Sequence, residues 1–554
     1  MIKLLKILIC TVFFSVAHCY GQVVTEWVNR FNGSANRFDI VTTMKMDNQG
    51  NVIVYGNVSQ TGSFSDIAAI KYSSSGSVTW QSFFNGHGNI LDECKAAYLD
   101  ADGNSYITGF TGDTNGVLKI ITLKLNPQGD ILWQKIFLPP AYNQGFGLSI
   151  SADNFGNIYT CGSVRRANGT NSIVTLKYSQ GGELLGSAFY NKTSSSSETP
   201  VSVCCDNSGS IYVLASSNAV GGVNDLLMLK YDPAFNLKWQ NTFSGSAFGN
   251  DMPVKMILSP DNKLVIAAAV YNSPGGLDYA AYRFDTSSAL IMQYFYNGTG
   301  NSQDIPYDIT CDSANNIFIT GSSRNYDTLG SEDIFTMKID PTAFLLWEKR
   351  YNGTGRGIDY GTAVSVDNMG NVFVGGSTDK HDYHLQYALL KYNYLGDLEW
   401  LTEYSKIENS EDFIYTVIAD NRGSIFVTGI SFDSLSDYDI ATIKYSEPIG
   451  IVPILSEVPQ DFMLYQNYPN PFNPVTKINF QIPLLRGVTG FAGRGVFLDV
   501  FDVNGRLVKT LHEGILKPGK YSVDFNGSEL PSGVYFCRLN HNDMIKSIKI
   551  TLLK

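Results

Sequence analysis

Charge is scarce in this sequence: 16% of its 554 residues are charged, against about a quarter in an average domain, and the balance is −11. No Lys/Arg-rich patch interrupts that acidic balance, and the summed field repels phosphate, so neither nucleic acid nor an anionic membrane is an expected partner. Long apolar runs are missing too. The longest, Ile7 to Ala17, is far short of the ~20 residues a membrane-spanning helix needs. With Lys3 and Lys6 before it and small or polar residues up to Gly21 after it, this run reads as a secretory signal over residues 1–21. A lipid-modified Cys19 is the competing reading, and the bulky His18 before it argues against that. No transmembrane segment is expected in the mature chain.

Metal ligands and nucleophile–base sets are equally thin. Of six histidines, only His87, His381 and His384 lie outside the signal and the last ninety residues, and "KHDYH" at 380–384 is the single weak metal hint. Cys94, Cys161, Cys204, Cys205, Cys311 and Cys537 show no CxxC spacing, sit mostly in apolar runs and are expected to be buried free thiols. "SETP" and "SGSA" lack the strand–turn–helix setting of a nucleophile elbow. No catalytic residue and no cofactor is assigned.

What the chain has in quantity is aromatic residues, 13%, and 52 glycines, a balance suited to short strands and tight turns. It also has a period. The turn "DNQGN" at Asp47 recurs in variant form at Asp100, Asp153, Asp206, Ser259, Asp312, Asp367 and Asp420, spaced 53 residues apart with one step of 55. A basic column keeps the same register at Lys71, Lys124, Lys177, Lys230, Arg283, Lys338, Lys391 and Lys444. So does a tryptophan column at Trp27, Trp80, Trp133, Trp239, Trp347 and Trp400, with Gly186 and Met292 in the two other slots. An aromatic follows each slot by four residues; sharing a strand face, it and the tryptophan are expected to pack together on one side. Asp first and Gly fourth in D-x-x-G suit a type I turn closed by a left-handed residue, and no calcium loop is complete there.

Each period reads as four short strands, and four-stranded units repeated about an axis are the blades of a β-propeller. The expected fold is all-β: eight blades, or seven as the alternative, over residues 22–446. The strand around Trp27 comes before any complete unit and the last unit stops at "IATIKY", so the N-terminal strand is expected to complete the final blade. With D-x-x-G-N-x-Y-x-T-G followed by a K-Y strand and Trp, the repeats resemble SBBP-type bacterial propeller repeats and, more loosely, NHL-type propellers. That resemblance implies a fold and says little about activity.

Repetition ends after Tyr445. A Pro-rich stretch, 447–462, reads as a linker. Residues 463–554 carry strand-like runs expected to form a small Ig-like β-sandwich. The segment Gln466, Asn467, Tyr468, Pro469, Asn470, Pro471, Phe472, Asn473 and Pro474 opens that region, and its three prolines favour an extended, polyproline-like run. "LYQNYPNPFNPVTKINFQIP", "VFDVNGRLVKTL", "LPSGVYFCRL" and "KITLLK" together resemble the type A C-terminal sorting domain of type IX secretion cargo. "LLRGVTGFAGRG" after Pro483 is longer than the family's usual connection. The resemblance implies the type IX machinery as partner, passage through the periplasm and across the outer membrane of a Bacteroidetes-like bacterium, and a secreted or cell-surface location.

One acidic column is the only candidate site: Asp39, Asp92, Glu198, Asp251, Asp304, Asp359 and Asp412, each eight residues before the turn, with Gly145 in the remaining slot. In propeller geometry this position starts the innermost strand, at the channel mouth. A second set, Asp66, Asp225, Asp278, Asp333 and Asp439, belongs to the same rim. Both sets are expected to cap loop backbone; the competing reading is a collar that attracts cations. The function expected is a non-enzymatic scaffold for an unidentified extracellular ligand, with a secreted hydrolase or lyase of polysaccharide or peptide as the alternative.

Overall fold

The computed structural model describes residues 23–220, 222–273, 276–299, 301–324, 332–355, 357–381, 384–407, 410–420, 423–447, 452–455, 459, 461–483, 496–514, 519–528, 530–541 and 544–554. The signal segment and the "LLRGVTGFAGRG" insertion lie outside these residues. The chain divides after Tyr445 into two compact units. Among the described residues there is no helix; both units are built of four-stranded antiparallel sheets, and the first is propeller-like.

Among the described residues the first unit shows eight such sheets, numbered here by the chain order of their first strands: Ile40–Met46, Asp92–Leu99, Tyr142–Ala152, Ser197–Cys205, Met252–Leu258, Asp304–Cys311, Tyr360–Val366 and Asp412–Ala419. In the first sheet, Ile40–Met46, Val52–Val58, Asp66–Tyr72 and Val78–Phe84 pair in chain order. The first strands of consecutive sheets lie against one another, and Ile40–Met46 packs on Asp412–Ala419, so the series closes on itself. The second and third strands are covered on both faces, which is why "VIVYGNV" and "DIAAIKY" are buried throughout; the fourth, "VTWQSFF", has an exposed edge and alternates. The core lies between sheets rather than within one. Ile53, Tyr55 and Ile67 of the first sheet share an apolar cluster with Cys94, Ile107 and Leu123 of the second, and Val41 and Val54 share one with Phe426 and Ile440 of the eighth.

The eighth sheet takes its fourth strand, Val24–Phe31, from the start of the described chain. The basic and tryptophan columns show how sheets are joined. In four sheets the pair stands side by side on the third and fourth strands and both side chains donate to one carbonyl in the next sheet's outer turn; in the first sheet Trp80 donates to Pro127 O, while Lys71 pairs with Asp47 of its own sheet at 2.8 Å. Lys124 Nζ and Trp133 Nε1 meet Gln180 O at 3.2 and 3.0 Å, and Lys230 and Trp239 meet Thr286 O at 2.8 and 3.3 Å. Lys444 and Trp27 meet Ser74 O at 3.1 and 3.2 Å, which ties the eighth sheet to the first. The lysines also sit over rings of their own second strands, Lys124 5.1 Å from the centroid of Tyr106 and Lys230 5.1 Å from that of Tyr212.

Each tryptophan and the aromatic four residues after it lie against one apolar cluster on the same side, as expected, for example Trp27 with Phe31, Trp80 with Phe84 and Trp133 with Phe137, but they do not meet ring to ring. Four strand residues span about 13 Å, too far for ring contact. Trp133 instead lies between Tyr106 of its own sheet and Tyr178 of the next, at 6.2 and 6.1 Å, while Phe137 stacks on Phe189 of the next sheet at 6.3 Å. The D-x-x-G turns follow their sequence: the fourth residue has positive φ in all eight, as Gly at six and as Asn262 and Asn315 where Gly is absent.

In the second unit two four-stranded sheets enclose a core that includes Ile478, Phe480 and Val523 from one and Leu498, Val500 and Leu539 from the other. Part of the stretch read as linker is strand here: Val452–Leu455 pairs with residues 520–522 of this unit.

Candidate functional site

All seven carboxylates of the acidic column are at most 1% exposed, and each accepts a hydrogen bond from a main-chain N–H. Asp39 holds two, Gly33 N–H at 2.5 Å on Oδ2 and Ser59 N–H at 2.7 Å on Oδ1. Asp251 holds Gly245 at 2.8 Å and Tyr271 at 2.8 Å; Asp359 holds Gly353 and Asp379, both at 2.7 Å. Gly86 N–H donates to Asp92 at 2.6 Å, Gly298 N–H to Asp304 at 2.7 Å, and Phe432 N–H to Asp412 at 3.1 Å. Glu198 accepts from Lys192 N–H and Ser217 Oγ, both at 3.3 Å. Each acid therefore clasps the loop entering its sheet to the end of the second strand beside it.

The donor six residues upstream is a signal that the acidic column alone did not expose. Gly33, Gly86, Gly245, Gly298 and Gly353 occupy it, and a Cβ at Gly33 would lie 2.1 Å from Ser59 O. Small size is required because loop backbone passes directly over strand backbone.

Burial dominates the electrostatics. It pushes Asp39 and Asp359 up to about 6 against the hydrogen bonds they accept, with smaller contributions from Asp439 and Asp333, and raises Asp92, Asp251, Asp304 and Asp412 as well. The second acidic set pairs with the first: Asp439 acts on Asp39, Asp225 on Asp251, and Asp304 on Asp278. Two arginines relieve this crowding, Arg30 on Asp439 and Arg350 on Asp333, each at 3.1 Å. Sequence reading missed them because they occupy a fourth-strand slot, three residues after the tryptophan column, that holds Phe83 and Phe295 in other sheets. Among the described residues no group of three or more His, Cys, Asp or Glu is placed to hold a metal ion. His384 is half-buried, and the side chain of His381 lies outside the described residues. The six cysteines are free, and burial pushes the thiols of Cys94 and Cys204 up to about 12.

The segment 466–474 is a clasp rather than a free polyproline-like run, because its polar groups are spent on neighbouring strands. Asn467, 2% exposed, donates from Nδ2 to Pro469 O at 3.0 Å and Thr476 Oγ1 at 2.9 Å. Gln466 and Asn470 donate to Lys549 O at 2.7 and 3.3 Å, and Asn470 Oδ1 accepts from Thr551 N–H at 2.9 Å. Phe472, 1% exposed, exchanges backbone bonds with Thr551 and Leu553, and Pro474 O accepts from Gly527 N–H. The bonds Tyr468–Pro469 and Asn470–Pro471 are cis. Between the two buried anchors, Tyr468, Pro469, Asn470 and Pro471 are left exposed, as is Asn473 after them.

A family model for the secretion system C-terminal sorting domain matches residues 466–552. The second unit therefore carries a type IX sorting domain, which indicates export across the outer membrane to the cell surface or the medium. No curated protein matches this sequence. Among solved structures, the chain is similar to a protein of unknown function from Dyadobacter fermentans at 10% identity and a TM-score of 0.38, covering 77% of this chain and 99% of that one. It is similar to the WD40 domain of SCAP from fission yeast at 9% and 0.40, covering 76% and 98%. A third likeness, to an α-L-arabinofuranosidase of Fusarium graminearum, stands at 10% and 0.34, covering 63% and 91%.

Proposed function

We propose that this chain is an exported eight-bladed β-propeller that acts as a non-enzymatic binding scaffold at the cell surface or in the medium. In this reading residues 1–21 are a secretory signal, 22–446 are SBBP-type repeats, and 463–554 form an Ig-like domain that engages the type IX secretion machinery. The match over residues 466–552 supports the export route. Support for binding rather than catalysis comes from the fate of the acidic column: carboxylates that a hydrolase or lyase would need as acid and base are buried and committed to loop N–H groups. What such an arrangement supplies is a rigid rim around the channel mouth, on which ligand contacts can be carried.

The test is to incubate the secreted protein with panels of oligosaccharides and peptides, following binding by calorimetry and products by mass spectrometry. Binding without turnover is expected. Catalytic product release that disappears on substitution at the rim would replace the scaffold with the hydrolase or lyase.

A further inference from the structure

Half of the rim carries a continuous aromatic arc. Tyr307 meets Tyr360 at 6.1 Å, Tyr360 meets Phe413 at 6.5 Å, Phe413 meets Tyr438 at 6.4 Å, and Tyr438 meets Phe38 at 5.4 Å. These rings come from the sixth, seventh, eighth and first sheets and their entry loops, which are consecutive around the unit. Tyr307 and Phe38 expose 42 and 43% of their surface, and Tyr415, which stands near enough to Tyr360 to act on its hydroxyl, exposes 39%. The arc is flanked by carboxylates. Glu411 Oε2 accepts from the Tyr438 hydroxyl at 3.0 Å, and the charged groups acting on Tyr307, Tyr360 and Tyr438 are Glu332, Glu411, Asp412 and Asp437.

The opposite part of the rim shows this chemistry already completed by the chain itself. Phe110 and Phe146 meet edge to face at 5.2 Å, Lys95 Nζ sits 5.5 Å from the Phe110 centroid, and Glu93 pairs with Lys95 at 2.6 Å. Lys95 holds the slot, five residues before the turn, that Tyr307 and Tyr415 hold in their repeats. Ring, carboxylate and ammonium are thus assembled together on the second sheet. On the arc, rings and carboxylates recur, and among the described residues no lysine or arginine is seated over the rings of Tyr307, Tyr360, Phe413, Tyr438 or Phe38.

We infer that the arc is a docking surface for a lysine- or arginine-bearing peptide, whose cationic side chains take on Tyr307, Tyr360 and Tyr415 the place that Lys95 takes on Phe110. The ring faces and flanking carboxylates act together on the cation, and partial shielding from water strengthens both contributions. The inference rests on the reading of the first unit as a binding module.

The full mature chain is titrated with octalysine, with octaglutamate and with a neutral cello-oligosaccharide, at low and at physiological salt. Tyr307→Leu and Tyr415→Leu remove ring faces without changing charge at two exposed positions, and unchanged melting curves show that the variants fold. Octalysine is expected to bind, the combined leucine variant to bind it roughly tenfold more weakly, Glu411→Gln to weaken it severalfold, and octaglutamate not to bind. Equal octalysine binding by the leucine variant would reduce the interaction to diffuse attraction and overturn the inference, as would no binding at all. Ring-dependent binding of the neutral oligosaccharide without octalysine would also overturn it while leaving the binding module in place; turnover of a probe would instead remove the module reading.

Discussion

Two buried aspartates of the rim answer to the same physics with opposite results. Asp39 accepts an N–H on each oxygen, so an amide in its place keeps one acceptor and sets its NH2 against the other donor. Asp39→Asn is expected to cost roughly 1–3 kcal/mol, read as a lower denaturation midpoint with unchanged slope. Asp278 has no such support. Burial and the charge of Asp304 push it up to about 6, only the Asn272 side chain opposes them, and Arg350 acts on Asp304 rather than on Asp278. Because its folded value lies above the ordinary 3.8, the folded state holds this proton more tightly than the unfolded chain. Its stabilising contribution is complete below about pH 4 and is lost as pH rises through 6. Asp278→Asn cannot titrate, so at pH 8 it is expected to exceed the parent in stability by on the order of 1 kcal/mol after solvent screening is allowed for, with the gain fading toward pH 4. A gain that is independent of pH would refute the account. The columns of Asp were plain in the sequence; what each oxygen touches was not, because the partners are mostly main-chain N–H groups, whose direction is set by the fold rather than by the residue that carries them.

At the scale of strands and turns, the irregular repeats are compensated. A tryptophan on one sheet normally lies under a left-handed glycine of the next sheet's outer turn: a Cβ at Gly129 would come within 2.6 Å of the Trp80 ring, and one at Gly182 within 2.8 Å of Trp133. Where the tryptophan slot holds Gly186, the turn position holds Phe235 at φ 65°, and its ring lies 2.9 Å from where a Gly186 Cβ would be. The large and small residues have changed places across the seam. Met292 likewise faces Ala343 within one apolar cluster. Gly186→Trp alone should overpack the seam by roughly 1–3 kcal/mol, and Phe235→Gly alone should leave a void. The double variant restores the Trp80–Gly129 arrangement and is expected to recover at least ~1 kcal/mol relative to the sum of the singles. Additive losses in a double-mutant cycle would mean that the two positions do not share the space. The period, the strand order and the N-terminal closing strand were legible because they depend on spacing and turn chemistry, which are local. The seam was hidden for the reverse reason: it joins residues 49 apart on different sheets, and only contact explains why Gly186 and Phe235 depart together.

Across the whole molecule, the two units differ in what completes them. The first needs its own beginning and end in one sheet: Arg30 pairs with Asp439, and Trp27 and Lys444 converge on Ser74. The second has a separate core drawn from its two sheets, and the clasp at 466–474 is fastened to strands of that same unit. Val452–Leu455 also pairs there, so the break that keeps both intact falls just after Tyr445. Removing residues 447–554 takes no strand from the first unit, apart from trimming Ser446's neighbours, and should leave its melting transition within a few degrees of that in the full chain. The truncated chain, expressed in the native host, is expected to accumulate in the periplasm. Joining 447–554 to an unrelated folded passenger that carries its own secretory signal should send that passenger to the surface or the medium, and Phe472→Ala, which leaves a cavity beneath the clasp, should reduce that export by destabilising the sorting unit. Normal appearance of the truncated chain in the medium would show that export is read from the repeats instead, and would detach the sorting unit from the route its sequence match supports.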